Sequence, residues 1–107
     1  MLPGYEFIYV INPNNIVSGI GVFIQTSLCF TYHIRNDIPG SEAISINIKL
    51  PKINVTLHCI YHHPGLLPNE FIYSLNSLKT KNAFIIGDIN INPVSYTHLT
   101  LPTTILV

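Results

Sequence analysis

Apolar and polar residues alternate through the middle of the chain with the two-residue period of a β-strand. In the segment EAISINIKL, which runs from Glu42 to Leu50, an isoleucine or leucine stands at every second position from Ile44 onward. This pattern predicts a strand with one buried face. The next segment, NVTLHCIY at positions 54–61, places Val55, Leu57, Cys59 and Tyr61 on one face and Thr56, His58 and Ile60 on the other. We expect the two segments to form a hairpin.

Shorter apolar runs nearer the N-terminus predict three further strands. Tyr5–Val10 is apolar and aromatic and is closed by the turn-forming sequence NPNN. Val22–Gln25 and Leu28–Ile34 follow, and their short connection predicts an antiparallel pair. Gly19 and Gly21 precede these strands, and no helical pattern follows the two glycines. We therefore interpret the glycines as giving room at a strand entrance and not as a phosphate-binding loop. The sequence NDIPGS has the composition of a loop.

The period becomes helical after this central region. Apolar residues recur with the spacing of an amphipathic helix at Phe71, Ile72, Leu75 and Leu78. Asn69 is the predicted N-cap, and Glu70 is favourably placed at the positive end of the helix dipole. Lys79 and Lys81 suit the C-terminal end of the same helix.

A final apolar run, Phe84–Ile86, shows no alternation and predicts a short strand buried on both faces. The order strand, helix, strand implies a right-handed crossover that places this strand beside an earlier one. The predicted fold class is therefore α/β (α+β), with mostly antiparallel strands and one amphipathic helix.

Composition limits the size and the partners of this fold. The 107 residues are 48% hydrophobic and only 9% charged, which is typical of the interior of a larger domain. Five basic residues balance five acidic ones, so the chain lacks the basic patch that marks nucleic-acid or anionic-membrane binding. A partial domain of this composition leaves an apolar face uncovered, and we expect it to be poorly soluble alone.

Neither a signal peptide nor a membrane-spanning run is recognisable in the sequence. Pro3 and Gly4 interrupt the N-terminal segment at once, and no apolar run approaches the length of a membrane span. We expect an intracellular protein, nuclear or cytoplasmic. Cys29 and Cys59 fall on separate predicted strands and could pair, but without a secretory signal buried reduced thiols are expected.

The candidate chemistry begins at Gly87-Asp88-Ile89-Asn90, directly after the last strand. A carboxylate at a strand end can be held in a cleft, where it can orient or deprotonate a water molecule. Asn90 could hold a phosphate oxygen or the same water by hydrogen bonds. The alternative is that both residues form an Asx-type turn, which the tetrapeptide alone would favour.

Tyr61 and two histidines close the preceding strand. A strand-end tyrosine hydroxyl can donate a hydrogen bond to a developing oxyanion, although an ordinary half-buried tyrosine fits the pattern equally well. Histidines bind metal ions, so His62 and His63 are tested as a pair of ligands. Neighbouring residues of an extended segment point to opposite faces, however, so we do not expect the two side chains to share an ion.

Taken in order, these segments resemble the endonuclease/exonuclease/phosphatase superfamily. They are LPGYEF at 2–7, GIGVFI at 19–24, EAISINIKL from Glu42, CIYHHP at 59–64, the helix and FIIGDIN at 84–90. The likeness is to the endonuclease domain of non-LTR (LINE-type) retrotransposon polyproteins, which carries a Tyr-Arg-Pro-Pro segment and a Gly-Asp-Phe-Asn motif in the same order. It covers residues 2 to about 92.

The resemblance implies a four-layer α/β sandwich that hydrolyses phosphodiesters with a divalent metal, usually magnesium. By matching motif, Asp88 would bind the metal and activate the water, Asn90 would bind the scissile phosphate, and Tyr61 would stabilise charge on it. DNA is the implied partner, with no membrane and no evident protein partner. Phosphatase and sphingomyelinase members share the Gly-Asp-x-Asn strand end, so a lipid or inositol phosphate substrate stays open.

Several features depart from the family pattern. His62 and His63 stand where the retrotransposon domains have Arg and Pro. The family's metal-binding Glu would lie upstream of Met1, and its closing Asp-His pair would lie beyond Pro93. We therefore expect residues 1–93 to be a partial domain that is inactive as given. The alternative is a transposon relic or truncated translation product with no catalytic function.

Residues 94–107 are expected to be non-native. The sequence from Val94 to Thr103, VSYTHLTLPT, resembles one reading frame of a transposase-type sequencing adaptor. In the usual layout of that adaptor a variable index follows and then a valine codon and a stop, which matches the ending at Val107. A genuine β tail is the alternative. We assign no role to His98 or to the threonines of this segment.

Overall fold

The computed structural model describes residues 2–12, 15–90 and 105–106, which form seven strands and one helix. In chain order these elements are β1 (Tyr5–Asn12), β2 (Asn15–Gln25), β3 (Cys29–Arg35), β4 (Ser41–Lys49), β5 (Asn54–His62), α1 (Pro68–Ser77), β6 (Ala83–Asp88) and β7 (Ile105–Leu106). The predicted class, mixed α and β with mostly antiparallel strands and one helix, is confirmed.

The strands belong to two sheets. β1 and β2 pair with each other, and the remaining five lie in the order β3-β4-β5-β6-β7. Pairing is antiparallel for β1-β2, β3-β4 and β4-β5, and parallel for β5-β6 and β6-β7. The predicted β4-β5 hairpin is confirmed. So is the position of β6 beside an earlier strand, since the chain leaves β5, passes through α1 and returns alongside it.

The predicted antiparallel pair between the second and third strands is wrong. β2 pairs with β1, whereas β3 pairs with β4 in the other sheet. The chain turns the corner at Thr26–Leu28, where the amide of Thr26 donates to Gly4 and that of Leu28 to Gln25. Ile24 of β2 and Phe30 of β3 then pack into one cluster from opposite sheets. A short connection between two half-buried strands fits either arrangement, so the local pattern could not separate them.

Two apolar clusters lie on the two faces of the five-stranded sheet. The first fills the space between the sheets and includes Ile8 and Ile24 from the small sheet and Ile44, Ile46 and Cys59 from the large one. The second lies beneath α1 and contains Ile38, Ala43, Ile60, Phe71, Leu75, Leu78, Ile85 and Ile89. The described residues therefore stack as small sheet, large sheet and helix.

Strand β4 shows the predicted alternation, but only the C-terminal part of the strand has a single buried face. Ile44 and Ile46 face the small sheet, as expected, while Ala43 on the other face is buried in the cluster beneath α1. From Glu42 to Ile46 every residue is buried, and exposure begins at Asn47. A strand in the middle of three layers is covered on both sides, which a count of alternating positions does not reveal.

Helix α1 begins two residues earlier than predicted. Its first residue is Pro68, and the N-cap is Leu67 in the left-handed conformation with no side-chain hydrogen bond, so Asn69 is not the N-cap. Proline suits the first helical position because its φ is already helical and its missing N–H leaves no donor unsatisfied. Glu70 lies in the first turn as predicted. The helix ends at Ser77, so Lys79 and Lys81 lie beyond its last turn.

Gly19 and Gly21 lie inside β2 and not, as was predicted, at the entrance to a strand. A Cβ atom on Gly21 would lie 2.6 Å from the Phe7 ring, so the glycine allows that ring to lie on the strand. Phe7 also contacts Phe23, its partner on β2, and stacks on Tyr9. Phe7, Tyr9 and Phe23 are all exposed, and they form an aromatic patch on the outer surface of the small sheet.

The predicted tail lies largely outside the described residues. Of residues 94–107, only Ile105–Leu106 is described, as β7 beside Ile85 and Ile86 of β6. The non-native origin of residues 94–107 therefore stays a prediction.

Candidate functional site

The candidate site lies where the parallel strands β5 and β6 end side by side. In the register between them, Tyr61 is the partner of Asp88. Paired residues of adjacent strands point to the same face, so the two side chains project together toward the side of the small sheet. Asp88 is exposed and Tyr61 is half-buried. The structure thus brings together two residues that were predicted as catalytic and lie far apart in the sequence.

Gly87 is needed because the two strands approach closely just before Asp88. Its φ is +141°, and a Cβ atom there would lie 1.9 Å from the carbonyl oxygen of Ile60. Any side chain at this position would collide with the backbone of β5, and this φ is one that other residues rarely adopt. The glycine of the Gly-Asp-Ile-Asn motif therefore sets the close approach that aligns Asp88 with Tyr61.

Asn90 is fixed to the end of β5. It has a φ of +51°, a conformation that asparagine tolerates better than most residues. Its Nδ2 donates a hydrogen bond of 2.7 Å to the carbonyl oxygen of His62. The amide thus bridges to the neighbouring strand, which the Asx-type turn would not have required. One N–H of the same amide group remains for another acceptor.

His62 is a structural residue on the opposite face of the sheet. Its ring is fully buried and stacks on Phe71 of α1 at a centroid distance of 3.7 Å. Nδ1 lies 2.8 Å from the carbonyl oxygen of Ile89, and Nε2 lies 2.7 Å from that of Leu66. His62 therefore joins the end of β5 to the loop before α1 and to the segment after β6.

His63 points to the other face and meets an acidic residue that the sequence reasoning missed. Its Nε2 lies 2.5 Å from Oε2 of Glu42, and both side chains are largely buried. Its ring also contacts the Tyr61 ring edge to face at 5.1 Å. The expectation that His62 and His63 diverge is confirmed. We call Glu42, Tyr61, His63, Asp88 and Asn90 the strand-end cluster.

The sequence position of Glu42 is itself unusual for an acid. It falls in the same alternating phase as Ile44 and Ile46, so an acid occupies a position in the buried register of β4. In the structure it is the register partner of Tyr61. Glu42, Tyr61 and Asp88 therefore lie in one row across the adjacent strands β4, β5 and β6.

The strand-end cluster does not form a magnesium site by itself. Within the described ranges, no group of three or more His, Cys, Asp or Glu side chains is arranged to hold a metal ion. Magnesium prefers octahedral oxygen coordination, and Asp88 supplies only one carboxylate. The predicted metal role of Asp88 thus has no supporting ligands among these residues.

A second polar group lies on the helix side of the sheet. The Ser45 hydroxyl and Nδ1 of His58 are 2.7 Å apart, and both residues are buried. Burial lowers the pKa of His58, and the positive charge of Arg35 lowers it further. Arg35 is held by Asp37 through two hydrogen bonds, and its guanidinium lowers the pKa of Asp37 to about 2.

The two cysteines, Cys29 and Cys59, do not form a disulfide with each other. Both are free; Cys59 is buried, and burial raises the pKa of its thiol, whereas Cys29 is exposed. The expectation of reduced thiols holds, but the expectation that both are buried is wrong for Cys29, since it begins β3 at the rim of the sheet.

Two surface cavities lie away from the strand-end cluster. One of about 320 Å³ is lined by the beginning of β3 and by Asn47–Lys49 and Asn54, at the opposite end of β4 and β5. Another of about 340 Å³ lies beside β2 and is lined mainly by apolar residues. Neither of these two cavities includes a member of the cluster.

Comparison of this chain with protein-family models, with curated proteins and with solved structures finds no match. Among the described residues, no helix has the length and apolar character needed to cross a membrane.

Proposed function

We propose that this chain carries part of the catalytic centre of a phosphodiester hydrolase of the endonuclease/exonuclease/phosphatase type. The observation that supports the proposal is the alignment of Tyr61 with Asp88 at the ends of β5 and β6, with Asn90 tied to the same strand end. The motif resemblance selected these three residues independently of any register. Their convergence at one edge is what a shared chemical role requires.

Each residue suits a separate task in hydrolysis. The exposed carboxylate of Asp88 can accept a proton from an attacking water molecule. The remaining N–H of Asn90 and the hydroxyl of Tyr61 can donate hydrogen bonds to phosphate oxygens, which become more negative as the water attacks. Because Gly87 and His62 fix the strand ends, these groups are held in position before a substrate binds.

The substrate and cofactor that we propose for the intact domain follow the resemblance. DNA is the proposed substrate, magnesium the proposed cofactor, and the nucleus or cytoplasm the proposed compartment. The described residues do not complete a metal site, so the remaining ligands would have to come from other parts of the complete protein. We expect the 107-residue chain alone not to cleave DNA.

The test uses the protein expressed from the complete coding sequence around this segment, called the complete protein below. With magnesium it should nick supercoiled plasmid DNA, and Asp88→Ala should lower the rate by about 100-fold or more, the usual contribution of a positioned proton acceptor. Asp37→Ala is the matched control, because Asp37 is an exposed carboxylate paired with Arg35 away from the cluster. Nicking that is unchanged by Asp88→Ala would refute the proposal.

A transposon relic without catalytic function is the second candidate. It is favoured by one specific observation: within the described part of the chain, no metal-holding group of side chains surrounds Asp88. A relic predicts that the complete coding sequence is interrupted and that its product leaves plasmid DNA intact. A stable 107-residue protein that hydrolyses phosphodiesters would exclude this candidate.

A further inference from the structure

The strand-end cluster contains a histidine and a carboxylate to which the motif resemblance assigns no role. Nε2 of His63 lies 2.5 Å from Oε2 of Glu42, and the side chains are 13% and 8% exposed. A carboxylate on one ring nitrogen fixes the orientation and the tautomer of an imidazole. Within the described residues, no hydrogen bond engages Nδ1 of His63. That nitrogen is therefore the one from which a proton could be transferred.

The His63–Glu42 pair lies close to the candidate catalytic residues Tyr61 and Asp88. Glu42, Tyr61 and Asp88 lie in one row across β4, β5 and β6, with Tyr61 in the middle. His63 binds Glu42 and contacts the Tyr61 ring, and Glu42 and Asp88 lie on the strands to either side of Tyr61. In-line attack at phosphorus also has two sides, because the entering and leaving oxygens lie opposite each other.

We propose that His63, held by Glu42, is the general acid that protonates the leaving oxygen; this inference rests on the proposed phosphodiester hydrolysis. The water oxygen forms a bond to phosphorus, and one water proton passes to the carboxylate of Asp88. The bond from phosphorus to the leaving oxygen breaks, and the proton on Nδ1 of His63 passes to that oxygen. The products are a phosphate monoester and an alcohol, and exchange of protons with solvent restores both residues.

Glu42 acts through His63 and is a positioning residue. It accepts the hydrogen bond from Nε2–H and so leaves Nδ1 as the nitrogen that carries the transferable proton. Among the described residues, Asp88 on β6 and Tyr61 on β5 share this end and this face of the sheet with the pair. The buried His62 faces the opposite side, where its ring nitrogens meet the carbonyl oxygens of Ile89 and Leu66.

The first measurement tests the pair in the 107-residue chain without any substrate. Imidazole ¹⁵N NMR should show that Glu42→Gln moves the His63 ring signals, whereas the control Glu6→Gln, an exposed acid on β1, leaves them in place. Ring signals of His63 that are unaffected by Glu42→Gln would overturn the inference and leave the proposed function untouched.

The second measurement uses leaving-group dependence in the complete protein. In a dinucleotide such as TpT the leaving group is a nucleoside alkoxide, which needs a proton. In the p-nitrophenyl ester of thymidine 5′-phosphate the leaving group is p-nitrophenolate, which is stable without one. His63→Gln should lower kcat for TpT by about 100-fold, with KM little changed, and lower kcat for the p-nitrophenyl ester less than about threefold. Glu42→Gln should show the same selectivity with a smaller loss, and His33→Gln, an exposed histidine on β3, should change neither rate.

The outcomes separate the inference from the function on which it rests. Equal losses on both substrates would mean that His63 is merely structural, and no loss on either would mean that it is not involved; both results overturn the inference while Asp88→Ala still abolishes activity. A complete protein that cleaves neither substrate, or that is unaffected by Asp88→Ala, fails the proposed function, and the inference falls with it.

Discussion

At the scale of single residues, the strand-end cluster depends on two positions where the backbone is unusual. Gly87 takes a φ of +141° and lies directly against Ile60, and Asn90 takes a φ of +51° while its side chain reaches His62. Both conformations are uncommon for most residues. They lie one residue before and two residues after Asp88, so the candidate catalytic carboxylate has an unusual backbone conformation on either side.

Gly87→Ala should be strongly destabilising. The new methyl group would meet the carbonyl oxygen of Ile60 at 1.9 Å, and β5 and β6 would have to separate. We expect the free energy of unfolding to fall by about 3 kcal/mol or more, measured by urea denaturation. Gly65→Ala is the matched control, because Gly65 has a φ of +74° but no atom within 4 Å of the added Cβ. Similar losses in both variants would show that backbone strain alone, without the collision, determines the effect.

His58 gives the fold a pH dependence of known sign. Burial, aided by the charge of Arg35, lowers the pKa of His58 below its ordinary value of 6.5, so folding favours the neutral ring. The unfolded chain binds the proton more readily, and stability should therefore be fully present above pH 6.5 and decline as the pH falls below it. The slope from one such group is at most about 1.4 kcal/mol per pH unit.

Denaturation of His58→Gln between pH 7.5 and pH 5 measures this contribution. The variant keeps a polar side chain opposite Ser45 but cannot titrate, so its stability should depend less steeply on pH. His33→Gln, which removes an exposed histidine, should retain the slope of the original chain. An unchanged slope in His58→Gln would contradict the assignment to this residue.

At the scale of elements, the helix shows where tertiary structure overrides local preference. Leu67 occupies the N-cap of α1 with a φ of 45° and a ψ of 51°, a left-handed conformation that leucine adopts at a cost of roughly 1–2 kcal/mol. Its side chain is 52% exposed and so gains little from burial. The helix is held by Phe71, Ile72 and Leu75, all fully buried, and not by its cap.

Leu67→Asn should consequently stabilise the protein. Asparagine tolerates the left-handed conformation and is among the preferred N-cap residues, so we expect the free energy of unfolding to rise by roughly 0.5 kcal/mol. Leu66→Asn is the control, because Leu66 has the same 52% exposure but does not have a positive φ. The two variants are compared by thermal and urea denaturation. A gain in Leu66→Asn equal to that in Leu67→Asn would mean that lower surface hydrophobicity, and not relief of strain, is responsible.

At the scale of the whole molecule, the small sheet leaves an aromatic surface open. Phe7, Tyr9 and Phe23 are exposed on the side that faces away from the large sheet, and they contact one another. An exposed patch of this kind favours association of protein molecules in water. The patch is an uncovered apolar surface of the kind expected for a partial domain, and the poor solubility of the isolated chain stays a prediction.

Tyr9→Lys should increase the fraction of monomer at micromolar concentration, as measured by sedimentation velocity. A charge within the patch opposes its burial against another molecule. Tyr73→Lys is the control, because Tyr73 is 65% exposed on α1 and outside the patch. Equal gains from both substitutions would show that net charge, and not the aromatic patch, determines solubility.

Part of the fold and part of the candidate site could be predicted because they depend on local patterns. The period of β4 and β5 predicted their hairpin and the division of their faces, and the spacing of Phe71, Ile72 and Leu75 predicted a helix with that buried side. The boundaries at Leu67 and Pro68 were missed because a left-handed leucine has no signature in the sequence. The pairing of β2 was missed because two consecutive half-buried strands have the same sequence pattern whether they pair in one sheet or face each other from two sheets.

The sequence by itself determined the fold class, the order of the elements and the candidate residues Tyr61, Asp88 and Asn90. These follow from hydrophobic periodicity and motif order, which are properties of short segments. Only the tertiary structure decided that Tyr61 stands beside Asp88 and that Glu42 binds His63. Register between strands is set by the packing of both faces of the sheet, and that packing involves residues that are distant in the chain.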